Sequence, residues 1–167
     1  QLTNDLANTS TPGFKKSFDH VLLRSVKVTA DYGYQSRYQP VVQHSNVIDL
    51  KAGPQMQTGR LLDISMQNQT VLGILTENEQ VAFTRRGDLQ IRGDGVLITG
   101  NGVEVAGEGG AQIVTITQAV ISIAKDGTVN ATFPDEPEGE PVPIGQLMLR
   151  DASEQVLVRR KDGFYEP

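Results

Sequence analysis

The chain has 167 residues and a mass of 18.1 kDa, enough to bury roughly 70% of its unfolded surface as one domain, or one domain with extensions, and too little for more than two. A formal charge of −5 and a pI near 5.0, without a Lys/Arg cluster interleaved with aromatics, exclude a nucleic-acid partner, whose phosphates demand a basic face. The absence of cysteine removes disulfides, thiolate metal ligands and cysteine nucleophiles together.

At the start of the chain, Leu2 and Leu6 are four apart and share one face of a helix. That helix stops at once, because Thr11 before Pro12 is pushed out of the α region and Gly13 permits positive φ ahead of the aromatic Phe14. A single turn is unstable in water. The segment is therefore expected to be the remnant of an N-terminal helix, either trimmed of its start, the reading preferred here, or completed by a neighbour.

Residues 14–56 carry short apolar runs such as Val21-Leu22-Leu23, broken by polar and Tyr-rich stretches without a helical period. This pattern predicts an extended arm. Tyr32, Tyr34 and Tyr38 fall at near-alternating positions and read as a half-buried strand face, on this subunit or a neighbour, in preference to a ligand platform.

From residue 59 the pattern is β almost throughout. Residues 71–75 and 81–84 form one expected hairpin, and Asp94-Gly95, Asn101-Gly102 and Asp126-Gly127 mark further turns between short apolar or alternating segments at 89–92, 96–99, 103–106, 113–117, 120–124 and 128–133. Residues 134–143, Pro-Asp-Glu-Pro-Glu-Gly-Glu-Pro-Val-Pro, predict an acidic loop whose prolines lack the amides a central strand needs. Strands at 144–149 and 156–160 follow, and Asp162-Gly163 turns into Phe164 and Tyr165. No ten-residue helical pattern separates the strands, so parallel βαβ units are excluded. The fold expected is mainly β: an antiparallel, irregular domain of hairpins over 59–167, with the helix remnant and extended arm over 1–58.

Catalytic chemistry is poorly supplied. His20 and His44 both lie in the arm without a nucleophile motif or metal-ligand spacing, and Asp135, Glu136, Glu138 and Glu140 sit in a loop that cannot hold two carboxylates at a fixed separation. Gly107, Gly109 and Gly110 lie between strands, with no helix N-terminus to receive a phosphate. Arg-Gly-Asp occurs at 86–88 and 92–94, and both read as turn chemistry in preference to a cell-adhesion ligand. Asp94 and Asp126 lack the alternating oxygen ligands of a calcium loop. The expectation is no enzyme, no cofactor and no metal. No apolar run reaches eighteen residues and no basic-then-apolar leader occurs in the sequence, so no membrane insertion is expected.

Leu6-Ala7-Asn8 with Thr11-Pro12-Gly13-Phe14-Lys15 resembles the motif after the N-terminal helix of bacterial flagellar rod and hook proteins. The resemblance continues, in matching order and spacing, through Thr84-Arg85-Arg86-Gly87-Asp88-Leu89-Gln90, Gly95-Val96-Leu97, Gly107-Glu108-Gly109-Gly110, the segment Ile121-Ser122-Ile123-Ala124-Lys125-Asp126-Gly127-Thr128-Val129, and Gly145-Gln146-Leu147. The double arginine and compact length are most similar to proximal-rod members, with distal-rod members a close second. Residues 62–75 depart from the pattern: Leu62-Asp63-Ile64 fits, but Asn68-Gln69-Thr70-Val71-Leu72 replaces a segment rich in glycine and aromatics, so a changed turn is expected there.

The resemblance implies a structural subunit of the periplasmic rod, exported without cleavage through the flagellum's own type III apparatus and assembled head to tail into the tube that transmits torque for motility. Its partners would be other proximal and distal rod subunits and copies of itself. Terminal helices form the tube's core in this family, and lacking them the isolated chain is expected to be monomeric. The matching motif makes Leu6, Asn8, Thr11, Pro12, Gly13 and Phe14 candidate interface or hinge residues, with Phe14 as anchor. Arg85, Arg86 and Gly87 are candidates too, read as a hairpin turn with exposed arginines in preference to an intersubunit salt bridge. The rival from another class is an extracellular or periplasmic β-sandwich that binds ligands, which the lack of Trp and of an aromatic platform disfavours.

Overall fold

The computed structural model describes residues 17–30, 33–48, 50, 51, 55, 57–135 and 139–167, those up to 47 as backbone alone. Every regular element among them is a strand, and every pairing between strands is antiparallel.

The first two strands form a long hairpin. β1 (Ser17–Ala30) runs against β2 (Gly33–Ile48), from Ala30 opposite Gly33 at one end to Ser17 opposite Ile48 at the other, with one irregularity between Ser17 and Asp19. The expected hairpin at 71–84 is present as β3 (Thr70–Leu75) and β4 (Val81–Thr84), Leu72 opposite Thr84. A meander of β5 (Leu89–Ile91), β6 (Leu97–Thr99) and β7 (Glu104–Val105) follows. Next come β8 (Val120–Ile123), β9 (Thr128–Thr132) and β10 (Val142–Gln146), then β11 (Leu149–Asp151), β12 (Val158–Arg159) and β13 (Tyr165–Glu166). The larger sheet runs β1-β2-β12-β13-β4-β3-β7-β6-β5, with β11 also on β3; the smaller runs β10-β9-β8.

Two expectations change in detail. Residues 144–149 are not one strand. β10 stays in the small sheet and β11 joins the large one, and between them the Leu147 amide donates to the Gly127 carbonyl (2.9 Å) and the Met148 amide to Ala106 (2.9 Å), so the chain changes sheets there. Residues 113–117 form no strand: Val114 makes an isolated bridge to Val96, and Gln112, just before the segment, makes one to Ala106. The end of the Pro-rich loop also enters a sheet, since Pro143 pairs with Asn130; β10 is an edge strand, where a missing amide costs no ladder bond.

The main core lies between the sheets. Leu72, Leu89, Leu97 and Val105 from the large sheet meet Ile121, Val129 and Ala131 from the small one, with Ile113 and Leu147 between them. Fully burying side chains such as Leu72, Leu89 and Leu97, which are inaccessible to solvent, stabilises by about 1.5–3 kcal/mol each. β3 is covered on both faces: Leu72 joins this core, while Val71 joins a second one with Ile48, Leu50, Ala152, Leu157 and Tyr165. Gly73 is required between them, because a Cβ there would press on Met148, whose carbonyl accepts from the Gly73 amide at 2.8 Å.

The turns are built on one plan. In the loops 76–80, 92–96, 99–103, 107–111, 124–128 and 160–164 the first amide donates to the last carbonyl, the fourth amide donates back to the first carbonyl, and the fourth residue has positive φ. This is the three-residue hairpin loop in which a type I turn is followed by a left-handed residue. Glycine fills that place at 95, 102, 110, 127 and 163; Glu79, at φ 57°, fills it in the first.

Candidate assembly surfaces

The Thr84–Leu89 stretch, where the sequence places Arg85, Arg86 and Gly87, is a clamp on the segment that precedes β3. Arg85 is buried, 7% exposed. One of its terminal nitrogens donates to the carbonyls of Asn68 and Thr70, both at 2.8 Å, and the other to Met66 at 3.1 Å. The exposed arginine expected at this position is therefore found inward: three carbonyls of the 66–70 segment draw in a side chain whose planar fork can satisfy them together. Burial pulls the guanidinium below its ordinary pKa, and the nearby Tyr165 phenol acts the other way. Burial in turn raises the Tyr165 pKa, against Arg159 and Arg85, which lower it.

Arg86 turns the opposite way and binds Asp88 through two nitrogens, at 2.6 and 2.8 Å. Gly87 has no room for a side chain, since a Cβ would overlap the Ile64 carbonyl oxygen, and its own carbonyl accepts from the Ile64 amide at 2.8 Å. Asp63 bridges to Asp88 across the clamp. Asn68 has φ 50°, and the Thr70 amide closes its turn on the Gln67 carbonyl at 3.1 Å. An asparagine thus supplies the left-handed residue in the segment where the family pattern is rich in glycine, and Arg85 secures the result.

Both Arg-Gly-Asp tripeptides are folded shut. In the second, Arg92 donates to Asp94 at 2.8 and 3.0 Å and to Glu104 at 2.9 Å. These bonds raise the Arg92 pKa and lower that of Asp94. In each tripeptide the arginine and the aspartate thus bind each other. The Asp94 carboxylate also accepts from the Val96 amide, as Asp126 does from Thr128 and Asp162 from Phe164, so the aspartates of the Asp-Gly turns are spent on their own loops.

An open groove of about 1000 Å3 lies where the turns at 76–80, 99–103, 107–111 and 160–164 meet. Its basic groups are committed: Arg92 to Asp94 and Glu104, and Arg160 to Asp162 and Glu166. Among the described residues no group of three His, Cys, Asp or Glu is placed to hold a metal, and no helix is long and apolar enough to cross a membrane. The exposed apolar surface is of another kind. Val114, Ile116 and Val120, 51%, 41% and 49% exposed, follow one another through a turn in which the Ala119 amide donates to Ile116.

Leu6, Asn8, Thr11, Pro12, Gly13 and Phe14 lie outside the described residues. Arg85 and Gly87 are brought together with residues 64–70. The burial of Arg85 had no signal in composition, but Phe83 and Arg85 are two apart on β4 and its extension, and Phe83 packs on the second core beside Tyr165.

This meander of short strands and Asp-Gly turns has counterparts. Residues 67–131 match the profile of the flagellar hook protein FlgE/F/G D1 domain. The flagellar basal-body rod protein FlgF of Escherichia coli is 34% identical over 163 residues, covering 97% of this chain and 62% of that protein. Along most of its length the chain is similar to flagellar rod and hook proteins. FlgF of Salmonella typhimurium is 33% identical over 164 residues, with the same coverage, and the basal-body rod protein FlgG of Bacillus subtilis is 29% identical over 155 residues, 86% of this chain and 57% of that protein. The chain thus spans 62% of the length of the FlgF relatives.

Proposed function

We propose that the chain is the β-domain and arm of a proximal-rod subunit of the bacterial flagellar basal body, a structural part and not an enzyme. The observation that carries this reading is the likeness to rod proteins named FlgF along 97% of the chain. In this reading residues 59–167 form the outer domain and residues 1–58 the arm leading to the tube's core. The subunit joins other rod subunits and copies of itself in the periplasm, through head-to-tail contacts that continue as a helix without closing into a small ring. The exposed Val114, Ile116 and Val120, close together in the chain, are apolar groups that burial against a neighbouring subunit would cover.

The motif residues Leu6, Asn8, Thr11, Pro12, Gly13 and Phe14 are the proposed contact or hinge, with Phe14 as anchor. The test is complementation by the full-length protein in cells lacking their own copy. Phe14→Asp is expected to be exported and folded yet to leave cells non-motile. Normal swimming of that variant removes Phe14 as anchor, and failure of the unmutated protein to restore swimming contradicts the rod reading.

A further inference from the structure

The β1–β2 hairpin is rooted at one place. Among the described residues β12 is the strand that continues its sheet, through Val47 opposite Val158. Just beyond, Ile48 and Leu50 are buried, at 7% and 6% exposure, among Val71, Ala152, Leu157 and Tyr165, with Phe83 against them. The receiving side is fixed independently of the hairpin: Val71 lies on β3, which is paired to β4, β7 and β11, and Tyr165 lies opposite Phe83. A single ladder pair is a weak hold, and burial of two large aliphatic side chains outweighs it. The lever it restrains is long. From Val47 to Gly33 the hairpin runs about 46 Å at about 3.3 Å per residue, so a swing of about 10° at its root would move the far end by about 8 Å.

We propose that the second core is a latch that sets the direction of the hairpin relative to the body, with Ile48 and Leu50 as the plug and Val71, Leu157 and Tyr165 as the socket. The plug acts on orientation and leaves the main core between the two sheets alone, because none of its residues belongs to that cluster. The latch is a property of the single chain and holds whatever the chain assembles into.

The cysteine-free sequence makes the test direct. Nitroxides at Ala30→Cys, at the far end of the hairpin, and at Lys125→Cys, on an exposed turn of the small sheet, report their separation by double electron–electron resonance. The parent is expected to give one narrow distance distribution. Leu50→Ala is expected to shift and broaden it while the circular dichroism of the β-domain persists, and Leu157→Ala is expected to do the same from the socket side. A distribution unchanged by both variants, or one already broad in the parent, overturns the proposal. Global unfolding by Leu50→Ala also overturns it, because the residue would then belong to the domain's own core.

Discussion

The Arg85 guanidinium lies 2.8 Å from the Thr70 carbonyl oxygen and bonds Asn68 and Met66 as well, tying the end of β4 to the turn that opens β3. Arg85→Ala leaves three carbonyls without their donor in a part-buried site. It is expected to lower stability by about 2–4 kcal/mol in urea unfolding. Arg85→Lys should recover only part of the loss, since an ammonium cannot span the carbonyls as a planar fork does. Arg86→Ala removes a part-buried pair with Asp88 and is expected to cost about 1–2 kcal/mol, less than Arg85→Ala. Equal losses at the two positions would contradict the clamp.

A Cβ added at Gly87 would overlap the Ile64 carbonyl oxygen. The obstacle is backbone and cannot rotate away, so Gly87→Ala is expected to cost about 1–3 kcal/mol, with a matching fall in the thermal midpoint. Gly109→Ala is the control: a Cβ there meets nothing within 4 Å and no positive φ is involved, so its midpoint should stay close to the parent's.

Glu79 holds the left-handed position that glycine fills in the sister turns. Replacing it removes a strain of about 1–2 kcal/mol, partly offset by the greater freedom glycine has in the unfolded chain. Glu79→Gly is therefore expected to stabilise by about 0.5–1 kcal/mol, read as a rise in the urea midpoint without a change in slope. A loss of stability would show that the Glu79 side chain makes a contact worth more than the strain.

Burial holds the Tyr165 phenol above its ordinary pKa. The native state therefore keeps this proton at pH values where the unfolded chain releases it. The associated stability is complete below about pH 10, the unfolded value for tyrosine, and is lost as pH rises through the higher native value. Tyr165→Phe should flatten the alkaline arm of the stability profile, measured by urea unfolding from pH 8 upward. An unchanged arm would mean that other groups carry it.

Acid acts on different residues. Hydrogen bonds to Arg92, Arg150 and the Thr128 amide hold Asp94, Glu108 and Asp126 below their ordinary pKa values. What these bonds contribute is present above the unfolded carboxylate pKa and is lost as pH falls through the native values. Asp126→Asn should therefore lower the plateau near pH 7 towards the acid value, shrinking the acid-dependent part of stability, while leaving stability at low pH little changed.

Much of the fold could be read from the residues. Asp94-Gly95, Asn101-Gly102, Asp126-Gly127 and Asp162-Gly163 locate their turns because left-handed φ restricts who can stand there, and the β3–β4 hairpin follows from two apolar runs around a polar gap. Asn68 and Glu79 adopt the same left-handed backbone without the glycine that would announce it. The crossing from one sheet to the other at Leu147 and Met148 was hidden because a continuous apolar run looks the same whether it serves one sheet or two. At the clamp, Gly87 and the arginine pair were legible as a unit, but the inward turn of Arg85 depends on carbonyls from residues 66–70 that only tertiary packing brings near. The long β1–β2 hairpin was legible only as extended chain, since its polar and tyrosine-rich stretches carry no strict alternation.

The proposed place of this domain in a rod subunit rests on likeness to rod proteins. Its most direct test is to purify basal bodies from cells whose only copy of the full-length protein carries an affinity tag, and to quantify that protein by mass spectrometry beside known rod components. A rod subunit is expected at a fixed ratio to those components, with rods that fail to complete when the gene is removed. Complete, normal basal bodies that lack the protein would contradict the rod reading.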